Sequence, residues 1–414
     1  MPQIGINWTV NSGFGWGTFG LEIALNLTSG GSWLPVLLCE PGEIACDPLR
    51  DLLLRSVLDR SRDTRERLLA ARSGSQITLD IPLFHALGNG ASPVFFNSDV
   101  RHVGRWNAAL TFLENTSLKQ RQVARFNGFD KVIAGSTWGR DILRSAGVDN
   151  VEVCLQGVNS ATFHPAPSLR PLGDRFVIFS GGKFEYRKGQ DAVVAAFKVF
   201  NERHPESILI AVWGNPWATS LGVKQFEASR LIAGPPPLSG GRIDWDTFIR
   251  RESLPAASLA LFETISHLRV AHLIRECNVA LFPNRAEGGT NLVAMEAMAC
   301  GVPTILSANT GHLDIIGRDD CIPLRAQETV DLACPEFGTD GWGEPDVEEM
   351  VEALESVYQD RERASADVKS IALEHVEEIN SKIEELDSMR RTLLHLADKC
   401  QGGERPDCPI LDEL

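Results

Sequence analysis

One folding unit occurs twice along the chain, once on each side of a proline-rich break, and this repetition narrows the folds open to it. Gln3–Val10 reads as a strand, a glycine-rich loop follows (Gly13, Gly15, Gly17, Gly20), then a helix to about Leu27 and a strand at Leu34–Cys39. After Pro165–Gly173 (PAPSLRPLG) the order starts again: strand Arg175–Ser180, loop Gly181–Gly189, helix Gln190–Arg203, strand Ile208–Trp213. Such strand–loop–helix–strand units build parallel sheets. Further strands are predicted at Gln76–Leu83, Pro93–Asn97, Ala109–Leu113, Lys131–Ala134, Val151–Cys154 and Val279–Phe282. Ser136–Ala146 and Leu268–Glu276 read as helices, and the chain from Pro345 to Lys399 as helical and acidic. With 414 residues the chain exceeds what one core usually organises. The expectation is an α/β protein of two Rossmann-like domains, 1–166 and 174–382, followed by a helix and tail at 383–414.

The stretch 287–305, EGGTNLVAMEAMACGVPTI, carries the chemistry. Glu287 precedes Gly288 and Gly289; Thr290 and Asn291 open an apolar helix from Leu292 that contains Glu296; Gly301 and Pro303 end it. A bare helix N-terminus offers free N–H groups and the positive end of the dipole, which favour an anion. A carboxylate upstream and another inside the helix can take hydroxyls on either side of that anion. Diphosphate between ribose and hexose has this shape. Lys183 and Lys188, on the loop SGGKFEYRKGQD, supply two cations for the same diphosphate.

These segments resemble glycosyltransferase family four, the large retaining family of the GT-B fold, whose signature runs roughly EGFGLVLLEAMACGVPVI. The family usually has seven residues between its glutamates; here eight (288–295) separate Glu287 from Glu296, with the addition in the Gly-Gly-Thr-Asn turn. Lys183 stands where the family has arginine, and Lys188 matches its lysine at the same spacing. VIAGSTWGRDILRSAG and QGVNSATFHP resemble the approach to the family's linker. The likeness is good over about 130–320, looser over 1–60, and poor over 60–110 and 215–262. It implies a GT-B enzyme moving a hexose from a nucleoside-diphosphate sugar with retention and without a metal or bound cofactor. Glu287 would accept donor-sugar hydroxyls, the amides of Gly288–Leu292 would hold sugar and phosphate, and Glu296 would bind ribose. The N-terminal domain would face the acceptor, with the amides of Gly15 and Gly17 near the cleft. His85 occupies about the place of the family's catalytic histidine; Glu114 and Asn115, at another strand end, are further candidates. The last helix of the family crosses back onto the first domain, which places that expectation on residues 383–400.

Other readings stay open at this point. Gly15-Trp-Gly17-Thr-Phe-Gly20 matches the dinucleotide fingerprint, with Glu40 twenty residues beyond Gly20. That would make the chain an NAD-dependent dehydrogenase. A non-catalytic nucleotide-sugar-binding protein fits the same motifs as the enzyme. Asp244-Trp245-Asp246 resembles a metal-diphosphate motif but reads as a helix cap. Net charge of −15 argues against a nucleic-acid partner. Nine scattered cysteines without a CxxC pair argue for reduced thiols, a cytoplasmic setting and no zinc site. The N-terminus lacks a secretory signal pattern, and no run reaches the roughly 18 apolar residues of a membrane span. Residues 50–72 (seven Arg, four acids) and 101–144 (eight Arg or Lys, three acids) are basic. They read either as solvated faces or as contacts to an anionic acceptor or the inner membrane surface.

Overall fold

The computed structural model describes residues 1–94, 100–317, 320–332, 334, 336–359 and scattered positions between 377 and 391. The helix and tail expected at 383–414, and any crossing back of 383–400, fall largely outside the described residues.

Six parallel strands form the first sheet: β1 (Gln3–Ile6), β2 (Leu34–Leu37), β3 (Gln76–Leu87), β4 (Arg101–Thr111), β5 (Lys131–Ala134) and β6 (Val151–Val153), in the order β2-β1-β3-β4-β5-β6. The second sheet, also parallel, holds β7 (Val177–Gly181), β8 (Ile208–Val212), β9 (Leu259–Phe262), β10 (Val279–Phe282), β11 (Thr304–Ser307) and β12 (Ile322–Leu324), in the order β9-β8-β7-β10-β11-β12. Helices α1 (Gly15–Gly30), α2 (Pro48–Leu69), α3 (Gln120–Asn127) and α4 (Thr137–Ser145) belong to the first half. Helices α5 (Gln190–Arg203), α6 (Trp245–Arg251), α7 (His267–Arg275), α8 (Leu292–Ala299) and α9 (Val347–Gln359) belong to the second.

Period-two alternation places the two cores of the second sheet. Ile178, Leu209, Leu281 and Ile305 face one layer, with Phe197 of α5 and Leu354 of α9. Their neighbours Val177, Phe179, Ile210, Phe282 and Leu306 face the other, with Ile274 of α7 and Ala297 of α8. Both faces are therefore dry, as a parallel sheet with crossover helices requires. In the first sheet Ile6, Leu37, Ala108 and Leu110 face α1 and α2, while Ala109, Val132 and Ala134 pack beneath Phe126 of α3 and Leu143 of α4.

Boundaries differ from expectation where side-chain bonding outweighs local pattern. The glycine-rich loop after β1 is shorter than predicted. The Asn11 Oδ1 accepts from the backbone N–H of Gly13 and Phe14 at 3.0 Å each, and α1 starts at Gly15. Gly17 and Gly20 lie inside that helix, where a Cβ would strike Asn11 or Trp8 within 3 Å. Glycine at these two positions permits close helix-to-loop packing. Glu40 pairs with Arg65 at 3.2 Å. The dinucleotide reading thus loses its phosphate loop. Asp244 caps α6, accepting from the Thr247 N–H at 3.0 Å, as the helix-cap reading expects.

Polar contacts join the two halves alongside apolar ones such as Phe14 on Trp217 and Phe112 against Gly289. Thr116 Oγ1 donates to Asp340 at 2.6 Å, Lys119 pairs with Glu336 at 3.0 Å, and the Thr137 N–H and hydroxyl both donate to Asp314, at 2.7 and 2.5 Å. Ser136 Oγ donates to the Gly288 carbonyl at 2.9 Å. No helix among the described residues is long and apolar enough to cross a membrane.

Candidate active site

The carboxyl ends of both sheets face one cavity of about 650 Å³. The loops after β1, β3 and β4 line one wall; those after β7, β8, β9 and β10 line the other. Open parallel sheets bind ligands at such strand ends, where neighbouring crossovers part to opposite faces. Between β7 and β10 the second sheet has this arrangement.

The expected donor residues converge on the second wall. Lys183, Lys188, Glu287, Gly288, Gly289, Asn291, Leu292 and Glu296 all line the cavity. Gly189 makes the approach feasible: it caps α5 with φ +70°, and a Cβ there would lie 2.1 Å from the Pro283 carbonyl oxygen. The chain therefore folds back tightly beneath β10 and carries Lys188 to Glu287, to which it donates directly. Asn284 donates to the same carboxylate, and the Glu287 N–H donates to Thr310 Oγ1 at 2.8 Å. Burial opposes the charge of Glu287, but Lys188 and Arg187 beside it prevail and hold its carboxyl down to about 2. Burial also pulls the Lys188 ammonium below its ordinary range, against the raising effect of Glu287.

Arg187 is the cation that sequence reading missed, hidden between two better-marked lysines in the same loop. Its guanidinium reaches Glu287 at 3.4 Å, Glu185 at 3.1 Å and, across the cavity, Glu114 of the first half at 2.7 Å. Lys183 pairs with Glu185 at 2.7 Å and sits nearer the surface. Arg187 and Lys188 thus reach the carboxylate beside the glycine turn, Lys183 lines the same cavity, and each of the three already holds a carboxylate.

The turn itself is pressed against the opposite domain. A Cβ on Gly288 would lie 2.6 Å from the Leu113 carbonyl oxygen, and one on Gly289 2.9 Å from the Phe112 ring. Asn291 takes a left-handed conformation (φ 59°) and caps α8, accepting from the Ala294 N–H at 3.4 Å. Its Nδ2 donates to His312 Nε2 at 3.1 Å, while His312 Nδ1 donates to the Ser307 carbonyl at 2.9 Å. Those bonds fix a neutral imidazole, and burial pulls its pKa down to about 4. Thr290 is directed inward by the same turn: it is fully buried, off the cavity wall, and its hydroxyl has no partner among the described residues. Its hydroxyl is thus turned away from the cavity, whereas the contact expected of it is through its backbone N–H.

Glu296 lies on the first turns of α8, buried and accepting from His267 Nε2 at 2.6 Å. Burial raises the Glu296 carboxyl. Burial works against a charge on His267, yet the hydrogen bond and charge of Glu296 raise it above the ordinary histidine range. The pair lies together in the cavity wall. His267 gave no signal beyond its place at the start of α7.

On the first wall the correspondence is weaker. Gly15 lines the cavity; Gly17 does not. His85 is also absent from the wall: it sits within β3, buried, bonded to Asn7 at 3.0 Å and Asn107 at 3.1 Å. Burial lowers its pKa to about 4. The ring is held in the sheet by two amides and so is not placed for proton transfer in the cavity. Glu114 is placed there, with Asn89. None of the basic residues 101, 105, 119, 121, 125, 131, 140 and 144 lines the cavity.

The fold is that of known glycosyltransferases. Sucrose-phosphate synthase of Thermosynechococcus elongatus superposes with a TM-score of 0.58 at 16% identity, over 95% of this chain and all of that one. HepE of Anabaena, solved with UDP and glucose, gives 0.57 at 14% identity, over 94% and 100%. The two facing parallel sheets with their strand ends at one cleft give this chain the GT-B fold that these glycosyltransferases have. Residues 264–380, which include both glutamates and His267, match the family described as family 4 glycosyltransferases in conflict systems. A separate likeness joins 66 residues to heavy metal-dependent transcription regulator 2 of Rhizobium meliloti, at 50% identity over 16% of this chain and 45% of that protein. The chain thus spans less than half the length of the curated relative it matches.

Proposed function

We propose that the chain transfers a hexose from a nucleoside-diphosphate sugar to an acceptor hydroxyl, with retention and without a metal ion in the transfer. One observation carries this reading: Arg187 and Lys188 reach Glu287, next to the Gly288–Gly289 turn at the head of α8, in a cavity that Lys183 and Glu296 also line. Cations and helix amides neutralise a departing diphosphate where charge develops. Glu296, oriented by His267, accepts the ribose hydroxyls. Glu287, oriented by Lys188 and Asn284, accepts those of the hexose. The phosphate itself takes the acceptor proton on the face it leaves, so the site needs no strong protein base. HepE, of the same fold, is known in complex with UDP-glucose, which favours a uridine donor. The test is a thermal-shift series with UDP-, GDP- and ADP-sugars in EDTA, followed by NMR of the product anomer. We expect one nucleotide to raise Tm selectively; at one hundred times Kd the stabilisation is about 2.7 kcal/mol. No shift with any of them, or an inverted anomer, overturns the reading.

The likeness to a metal-dependent regulator favours a second, additional reading: a metal-responsive segment attached to the enzyme. Among the described residues no group of three or more His, Cys, Asp or Glu could hold a metal. Seven of the nine cysteines are free thiols within the described part. That leaves Cys400 and Cys408, which lie outside it, as the candidate soft ligands. Equilibrium dialysis of the whole chain against Cu(I) or Zn²⁺ checks this. We expect about one ion retained per chain or per pair of chains, lost in Cys400→Ser. Retention unchanged in that variant, or no retention at all, refutes it.

A further inference from the structure

The acceptor half of the cavity has a chemical character of its own. Its wall is formed by Phe14, Trp16 and Phe112, with Asn89, Gln156 and Glu114 as polar groups. Among the described residues, this wall contributes no lysine, arginine or histidine. The Trp16 and Phe112 rings lie 4.5 Å apart, centroid to centroid, and form a continuous apolar surface. Every cation of the cavity comes from the opposite domain and is already paired. Arg50, on the first half's own α2, is tied to Glu22.

Glu114 is the fixed point of this wall. Its N–H donates to Asn89 Oδ1 at 2.8 Å, its Oε2 accepts from Asn89 Nδ2 at 3.1 Å, and its carbonyl accepts from Trp342 Nε1 at 3.1 Å. Its Oε1 rests against Arg187 at 2.7 Å. Backbone and side chain are held by both domains, so the carboxylate is preorganised at the junction of the donor and acceptor halves.

We propose that the acceptor is an uncharged sugar or polyol ring, seated on the Trp16–Phe112 surface with a hydroxyl donated to Glu114. The proposal rests on the donor reading above. A sugar ring has one face of C–H groups and an edge of hydroxyls; the wall offers two aromatic rings tilted 47° to each other, with a carboxylate and two amides beside them. A phosphorylated acceptor fits badly. It would bring about two negative charges to a wall without cations, next to a fixed carboxylate.

The test uses the full chain saturated with UDP and saturation-transfer NMR. The probes are phenyl glucoside, galactoside and mannoside, each with its 6-phosphate. We expect at least one neutral glycoside to bind, and its 6-phosphate to bind at least tenfold more weakly. Glu114→Gln should weaken the glycoside at least tenfold. It should leave UDP binding intact or tighter, because Arg187 loses a competing carboxylate. A merely structural role for Glu114 would weaken both. Equal or stronger binding of a 6-phosphate, no binding of any neutral glycoside, or unchanged glycoside binding in Glu114→Gln overturns the proposal. UDP binding on the same samples keeps the two readings apart: UDP without glycoside sinks the acceptor assignment alone, whereas no nucleotide binding at all sinks the donor site.

Discussion

Lys188→Ala is expected to lower kcat/KM by roughly 10- to 1000-fold, equivalent to ~1.5–4 kcal/mol of lost transition-state stabilisation. Two losses combine in this variant. The diphosphate forfeits a charge-assisted partner from a buried position, where screening by water is weak. Glu287 also forfeits the ammonium that orients it, and keeps only Arg187 and Asn284. The loss should fall mainly on kcat, since the charge on the leaving group is greatest at the transition state. Lys188→Arg should not restore the rate, because a planar fork does not fit the space between Gly182 and Glu287. The check is nucleotide release at several donor concentrations, with Tm measured alongside. A kcat/KM within threefold of the parent protein would remove Lys188 from the reaction.

Arg285→Ala is expected to destabilise the C-terminal half by roughly 3–5 kcal/mol, the usual result of leaving a buried charge without its partner. Arg285 is fully buried and gives Asp191, itself fully buried, two parallel hydrogen bonds of 2.7 and 2.8 Å. It also bonds Glu344 at 2.5 and 2.6 Å and stacks at 3.7 Å over Tyr186. This network joins the head of α5 to the segment before Glu287. Its loss should therefore lower Tm by roughly 10 °C, since 1 kcal/mol shifts Tm by about 2–4 °C in a domain of this size. Removing Asp191 in the same background should add little, because the two act as one unit. A Tm within about 2 °C of the parent would show that the network carries no such weight.

The sequence was most legible where one local signal sufficed. β5, β10 and α5 fall on their expected residues; a run such as VALF is apolar throughout and bounded by turn residues. The donor wall was legible too, as Lys183, Lys188, Glu287 and Glu296 sit in two short segments with strong spacing. What stayed hidden depends on contacts between distant segments. Arg187 acquires its role from Glu114, 73 positions away in the chain, and His267 from Glu296, 29 positions away. His85 could not be separated from a cavity residue by its position near a strand end; its capture by Asn7 and Asn107 is a tertiary event. The left-handed turn at Asn291 does not follow from a polar pair before a helix.

The seam joining the halves through Thr116–Asp340, Lys119–Glu336 and Thr137–Asp314 bears on turnover. Groups of this kind exchange their partners for water at small net cost, unlike an oily joint that must be wetted to part. On the proposed donor reading, spent nucleotide would escape through brief parting of the lobes, without melting of either core.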